Sequence, residues 1–508
     1  MNKYTIAIDL GEKSVVAIAG YNNDQDQLQI AAVATRQTKG LKAGRVENIA
    51  LVTEALSGVI AELETTLGVS IQQAYGGISG EYVRCERYGD EVPVLEPSNG
   101  VSAADVGALH AIMRRVVAPD ADTIMEYTPQ NYVVDDKEEE QNPIGTFGHK
   151  LSSTFNFILS EKEALKRLDL AFKQSGIALK ECFANSLASA EAVLSSDEME
   201  AGVVVVDLGE GMTNVAIYRR GALRHLASIP IGGGALNIDI SSLMIHKESV
   251  EALKCSCGVA IAENAPQESI EVVGRTSRDS RSVPIFNIAV AIQERMTDII
   301  IFVNREIRDS GYIGRLPYGV VLTGGGAKLR EVDELFRRNL GFDVRVANPE
   351  EGMSDESLSL VASPEYATVV GLLKRGIQMD QRGIGESCIA DEQVADEPEV
   401  VAEEEQRPTE VSAETIEQEV QEVQQTQEEQ VKVEEPEKQA PEPVVERPKE
   451  PEPVVVEPPK IEPKKVVKES KDSGIESEPK SNPLMKFMKS LADKVNDILT
   501  SPDDDQEF

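Results

Sequence analysis

Apolar side chains follow two periods along this chain, and the switches between them mark out its elements. Val203, Val204, Val205 and Val206 form an unbroken β-branched run, which predicts a strand buried on both faces rather than a helix. The run ends at Asp207. Gly209, Glu210 and Gly211 then make a turn, and Val215, Ile217 and Tyr218 carry the chain back as a second strand. Near the start, Ile6, Ala7 and Ile8 lead through Asp9, Leu10, Gly11 and Glu12 to Val15, Val16, Ala17 and Ile18 in the same design. A helical period follows over 48–67, apolar at Val52, Leu56, Val59, Ile60 and Leu63 and ending at Gly68; residues 75–78 read as the next strand. Helices are expected at 103–116, at 184–194, where small residues dominate, and at 288–310, apolar at Ile292, Met296, Ile299, Ile300 and Val303. Residues 265–285 read as a β-hairpin. Val320, Val321 and Leu322 form another buried strand, which ends in Gly324, Gly325 and Gly326 before a helix.

The turn at 209–211 aims backbone N–H groups into one small space, which suits a phosphate, and Asp207 beside it is placed to hold magnesium through water. An ordinary hairpin with an acidic turn is the plainer reading of that stretch alone. Its repetition at 9–12 is what weighs against it. Two strand–Asp-Leu-Gly-Glu–strand units imply a duplicated fold with a nucleotide clamped between the halves. The small-residue helix lets a second helix approach closely, as a hinge between two domains requires. Gly232, Gly233 and Gly234 precede a helix with Asn237, Asp239 and Ile240, which suits an anion or a tight turn. Glu251 and Lys254 share a helix face, and the plain reading of that spacing is a solvated ion pair.

The paired hairpins resemble those of the actin, Hsp70 and sugar-kinase superfamily, an α/β fold of duplicated ribonuclease-H-like domains. Within it, the proline-bearing stretch around Pro129 and the run Asn142, Pro143, Ile144 and Gly145 resemble the inserted subdomain of FtsA, the actin-like bacterial cell-division family. The resemblance covers about residues 1–380 and the last helix. It implies an actin-like ATPase fold with subdomain 1A at 1–83, 160–200 and 350–380, an α+β insert (1C) at 84–159, 2A at 201–245 and 315–349, and 2B at 246–314. It implies a nucleotide site of Asp9, Gly11, Ser14, Asp207, Gly209, Gly211, Thr213, Gly233, Glu251, Lys254, Gly324, Gly325 and Gly326, taking ATP, with Mg on Asp9 and Asp207 through water. Glu251 and Lys254 would reach ribose and adenine. Gly324, Gly325 and Gly326 match the adenosine motif, where a Cβ would clash with the nucleoside. The family pattern breaks at Glu12, Lys13 and Ser14, where hydroxyl and lysine are exchanged. It breaks again at Glu210, which replaces a glycine, at Asn214, which replaces an aspartate, and at Asn237, which replaces a threonine. Unless Glu12 and Glu210 turn away, two added negative charges weaken triphosphate binding. At most, slow ATP hydrolysis is expected.

A formal charge of −37 argues against nucleic acid as a partner. The five cysteines lack disulfide or zinc spacing, the start runs straight into a strand, and no apolar run reaches spanning length, so a cytoplasmic setting is expected. Residues 381–482 turn to Glu, Pro, Val and Gln, with 29 acidic against 12 basic side chains, and read as a disordered linker. Residues 483–500 read as an amphipathic helix with Leu484, Phe487, Met488, Leu491, Val495 and Ile498 on one stripe and lysines off it. A helix on such a tether must bury its stripe elsewhere, in a membrane interface or against a protein partner. The stripe, once buried, and the lysines, which would meet anionic head groups, make the membrane the expected choice. The resemblance implies a homopolymer on the cytoplasmic face of the inner membrane at the division site, tethering the FtsZ ring and recruiting later division proteins, with a docking face for FtsZ on the 288–310 helix. A sugar kinase would need an aspartate base and a polar sugar pocket, neither of which is evident. An Hsp70-type chaperone would need a β-rich module after 380. Pilus and rod-shape relatives remain as the alternative.

Overall fold

In the computed structural model, residues 4–137, 139–274, 280–382 and 388 are described. The helix expected at 483–500, with its stripe from Leu484 to Ile498, and nearly all of the 381–482 linker lie outside them. The first half opens as a meander of β1 (Thr5–Leu10), β2 (Ser14–Asn22) and β3 (Leu28–Gln37). A short ribbon of β4 (Leu41–Lys42) and β5 (Arg45–Val46) leads to α1 (Ile49–Leu67) and β6 (Gln73–Ile78). The Asn48 side chain caps α1 by accepting the Leu51 N–H, and Gly68 ends it. Helix α1 lays Val52, Leu56, Val59, Ile60 and Leu63 on the sheet, the face its periodicity predicts.

Residues 84–161 form a separate small sheet. Strands β7 (Arg84–Pro93), β8 (Asp122–Val134), β9 (Glu139–Glu140) and β10 (Lys150–Glu161) take the order β7-β10-β8-β9. Helix α2 (Ala103–Met113) packs against them through Leu109 and Met113, and closes a third core with Phe155 and Phe157. The chain then returns through α3 (Lys162–Gln174) and β11 (Ala178–Ala184) to α4 (Asn185–Val193) and α5 (Ser196–Ala201). The first sheet therefore has the order β11-β6-β1-β2-β3, with β6 and β11 parallel to β1.

The second half repeats this plan. Strands β12 (Val203–Leu208), β13 (Thr213–Arg219) and β14 (Ala222–Ile229) form the meander, followed by α6 (Gly233–Ser242) and α7 (Lys247–Cys257). A hairpin of β15 (Ser269–Val273) and β16 (Ser280–Pro284) leads to the long α8 (Ile285–Asp309), then β17 (Val320–Thr323), α9 (Val332–Leu340) and β18 (Val344–Val346). The sheet order is β14-β13-β12-β17-β18, so each half is a meander extended by two parallel strands on its first strand. In both, the aspartate is the penultimate residue of a six-residue strand.

The chain closes through α10 (Asp355–Val361) and α11 (Ala367–Gln381). Helix α11 crosses α4 with almost no separation, since a Cβ built on Gly371 would lie 1.8 Å from the Ala188 carbonyl oxygen. The small residues expected to allow such an approach are the ones that make it.

Three departures from the sequence reading have local causes. Helix α5 follows α4 directly because Ser195 and Glu198 form a capping box that restarts the helix. The glycines after β17 enter a short 3-10 turn, Gly325–Lys328, and not α9 itself; Glu331 at φ +62° breaks the path between them. The linker expected from 381 is still attached at Cys388, which is buried and whose carbonyl accepts the N–H groups of Gln72 and Gln73.

Arg375 of α11 ties three elements together. It donates to Glu126 of β8 at 2.7 Å and to Glu191 of α4 at 2.8 Å, with its side chain 12% exposed. Arg375→Met should cost about 2 kcal/mol in guanidinium unfolding, less than a fully buried pair because both carboxylates reach solvent. Pairing it with Glu126→Gln and Glu191→Gln should recover part of that loss, because the stranded charges go with it. An unchanged midpoint in the single variant would remove Arg375 as a staple.

Candidate functional site

The two equivalent turns close in the same way. The Gly11 N–H donates to the Ser14 carbonyl at 3.1 Å, and the Gly209 N–H to the Met212 carbonyl at 2.9 Å. Asp9 sits across from Val16 and Asp207 across from Asn214, at matching positions of the two hairpins. The hairpins face each other. Burial, and after it the like charge of Asp207, pushes the Asp9 carboxyl up to about 7, against the Asn185 amide donating at 3.2 Å. Asp207 is buried and also raised by burial, against Asn214 at 3.4 Å and Thr368 at 3.2 Å, which both donate to Oδ2. Two carboxylates thus meet in one cleft with only amides and a hydroxyl to soften them.

At the tips the contact is direct. A Cβ on Gly211 would stand 1.7 Å from a Glu12 carboxylate oxygen, so no larger residue fits there. Beyond Glu12, Lys13 reaches across to Glu251 of α7 at 2.6 Å. Glu251 also takes Lys254 at 2.7 Å and the Asn237 amide at 2.8 Å. Burial opposes its ionisation, yet the hydrogen bonds from Lys13, Lys254 and Asn237 outweigh this and hold its carboxyl down to about 2. Glu210 turns toward the same network, accepting from Asn237 at 3.3 Å with Lys254 at 3.8 Å.

The glycine run after β17 lines the cleft unevenly. Gly324 adopts φ +81°, and a Cβ there would lie 2.2 Å from Asp207 Oδ1 and 2.8 Å from the Leu208 carbonyl. Gly326 is packed on Leu208 as well. Gly325 is exposed, with nothing within 4 Å of where its Cβ would be.

Not every expected site residue presents its polar group to this space. The Thr213 hydroxyl is buried and donates to the Ile231 carbonyl at 2.7 Å, which fastens the loop before α6. The Gly233 N–H donates to the Gly209 carbonyl at 2.8 Å, and the Gly234 N–H to the Glu210 carbonyl at 2.7 Å. The first N–H groups of α6 are therefore spent on bracing the second hairpin, and Gly233 acts there by close approach. Ser14 opens β2, half-buried beside Gly11. Asn185 and Thr368 were not singled out in the sequence. The available signal was an amide and a hydroxyl at the starts of two otherwise apolar or small-residue helices.

The arrangement fits a cation-bearing anion. The Asn185 amide gives its NH2 to Asp9 and the Asn237 amide gives its NH2 to Glu210 and Glu251, while their buried Oδ1 atoms have no hydrogen-bond partner, that of Asn185 lying against Gly77. A divalent cation would relieve the Asp9–Asp207 repulsion. No cluster of three or more His, Cys, Asp or Glu capable of holding a metal occurs among the described residues, so the aspartates would hold it with water filling the rest of its shell.

The family model for cell division protein FtsA matches residues 204–371, and the model for the SHS2 domain inserted in FtsA matches residues 80–159. Cell division protein FtsA of Pseudomonas aeruginosa is 30% identical over 400 residues, covering 78% of this chain and 94% of that protein. The Escherichia coli K12 protein of the same name is 28% identical over 395 residues, covering 76% and 93%. Among solved structures, the PilM–PilN type IV pilus biogenesis complex aligns with a TM-score of 0.51 at 17% identity, covering 73% of this chain and 98% of that one. The fold shared with it is the actin-like ATPase fold.

Gly324 and Gly325 can be separated by experiment. Gly324→Ala should lose about 1–3 kcal/mol of stability, through left-handed strain and collision with Asp207. Gly325→Ala should stay within about 0.5 kcal/mol of the wild type, since its Cβ enters open space. Equal losses in thermal unfolding would show that the run does not line a cleft.

Proposed function

The chain belongs to the FtsA family of cell-division proteins, and from that membership we propose that it is a nucleotide-bound, membrane-tethered polymer that holds the FtsZ ring. The observation that carries the nucleotide part is the convergence of Asp9 and Asp207, whose like charges meet with only neutral donors around them. ATP with Mg supplies there the cation that two crowded carboxylates call for. Asp9 and Asp207 would hold it through water. The hairpin turns at Gly11, Ser14, Gly209 and Gly211 would border the phosphates, while Gly233 and Thr213 keep the second turn in place. Gly324, Gly325 and Gly326 would border the adenosine, with Gly325 offering the open face. Glu251 and Lys254 would take the ribose and adenine side.

The rest of the reading follows from the family and the chain's own pattern. The helix at 483–500 would lie in the cytoplasmic face of the inner membrane at the division site, its stripe from Leu484 and Phe487 through Met488, Leu491 and Val495 to Ile498 buried among lipid tails. One such helix binds reversibly, and a homopolymer supplies many. The α8 region would offer the docking face for FtsZ, and the insert would meet neighbouring subunits and later division proteins.

Sedimentation with anionic liposomes tests the tether. The full chain should pellet and carry FtsZ with it, while a chain ending before Pro483 should leave both in the supernatant. Equal pelleting of the two would end the membrane reading.

A second test uses the raised Asp9 carboxyl. An acid raised to about 7 keeps its proton below that pH, and a cation must displace it. Affinity for Mg–ATP should therefore climb about tenfold from about pH 6 to about pH 8, with proton release seen by calorimetry in buffers of different ionisation enthalpy. Affinity for ATP without Mg should lack this rise. A flat Mg–ATP profile would mean that Asp9 does not face the cation.

A further inference from the structure

Glu12 replaces the hydroxyl expected after Gly11, and the structure gives its carboxylate a specific seat. The turn between β4 and β5 holds Ala43 at φ +46° and Gly44 at φ +74°. Successive residues in such conformations can aim their N–H groups into one concavity that accepts an anion. The anion here belongs to the chain itself. The Gly44 N–H donates to Glu12 Oε1 at 3.2 Å, and the Ala43 N–H donates to the same carboxylate. On its other side that carboxylate presses on Gly211 of the opposite hairpin. Glu12 thus stands where the two tips and the ribbon turn meet. The lysines of the neighbouring network, Lys13 and Lys254, are both engaged by Glu251 and do not neutralise it.

We propose that Glu12 sets the phosphate-number preference of the cleft, its carboxylate standing between the tips in the place of a terminal phosphate. This rests on the nucleotide reading above. With adenosine along Gly324–Gly326, the phosphate chain would run toward the two turns, and its last phosphate would be the group that arrives at Glu12. A nucleoside diphosphate stops short of the carboxylate. A triphosphate must displace it from the Ala43–Gly44 turn or accept its charge. Glu210, the matching residue of the second hairpin, does not share this role, because Asn237 and Lys254 draw it toward α6 and α7.

The test is calorimetric titration of the full chain with ADP and with ATP, both with Mg, in the wild type, Glu12→Gln and Glu12→Thr. The wild type should bind ADP at least threefold more tightly than ATP. Glu12→Gln, which keeps the shape and removes the charge, should tighten ATP at least threefold and change ADP less than twofold; Glu12→Thr should do the same. A wild-type ratio below threefold overturns the proposal, as does a parallel shift of both nucleotides in Glu12→Gln, the result expected of a residue that only braces the ribbon turn. If either variant loses thermal stability, the wild-type ratio decides alone. Failure of the nucleotide reading looks different. The wild type would then bind neither nucleotide, or Gly325→Val would leave both affinities untouched, and the proposal would fall with it.

Discussion

Asp9 and Asp207 repel each other, and the fold spends much of its architecture on holding them together. Each is the penultimate residue of the central strand of its own five-stranded sheet, with its backbone fixed by pairing across the hairpin. Three donors from elsewhere in the chain soften the meeting: Asn185 at the start of α4, Thr368 in α11, and Asn214 across the hairpin. None of them carries a positive charge, so the Asp9 carboxyl is still raised to about 7. Left without a cation, the arrangement disfavours the ionised state that neutral solvent would otherwise give these groups. This cost, borne at two matching positions, is what supports the reading of a cation-bearing ligand between them.

The helices that supply Asn185 and Thr368 also cross each other. Gly371 of α11 rests on the backbone of Ala188, a contact that tolerates no side chain. The insert touches both sides of this crossing. Arg375 fastens β8 to both helices, while Gln130 and Asn156 donate to the Leu223 carbonyl of β14 at 2.7 Å each. The insert is therefore bonded to the hinge on one side and to the second sheet on the other. A change in the spacing of the two hairpins would have to be accommodated at the β14 contact. That coupling needs no long wire through the protein, since hinge, insert and second sheet touch directly.

The sequence made the hairpins and the glycine run legible because their reasons are local. A buried apolar run, an aspartate and a glycine turn repeat at 6–12 and 204–210, each over a strand and the turn that follows it, and Asn48 and Gly68 bracket α1 by their own capping chemistry. What stayed hidden depends on chain-distant pairing. Thr213 and Gly233 sit in the expected motif, yet the loop before α6 claims their hydrogen bonds. Asn185 gains its importance only when β1 comes to lie beside α4. The attachment at Cys388 escaped notice because an isolated buried residue in an acidic, proline-rich stretch leaves no periodic trace.

The two glutamates of the repeated Asp-Leu-Gly-Glu units show most clearly where pattern stops and packing takes over. In the sequence they are equivalent, and both add a negative charge to a phosphate-like cleft. In the fold, Glu210 lies beside α6 and α7, so the Asn237 amide and the Lys254 ammonium share its charge. Glu12 instead meets the ribbon turn, whose backbone N–H groups order the carboxylate without cancelling it, and it faces Gly211 across the cleft. A duplicated motif is symmetric only as far as its own strands. Each copy is then assigned its chemistry by the unrelated segment that happens to cover it: a helix with a lysine in one half, a bare turn in the other. The two added carboxylates of this chain thus meet different surroundings, backbone N–H groups at Glu12 and an amide with a lysine at Glu210.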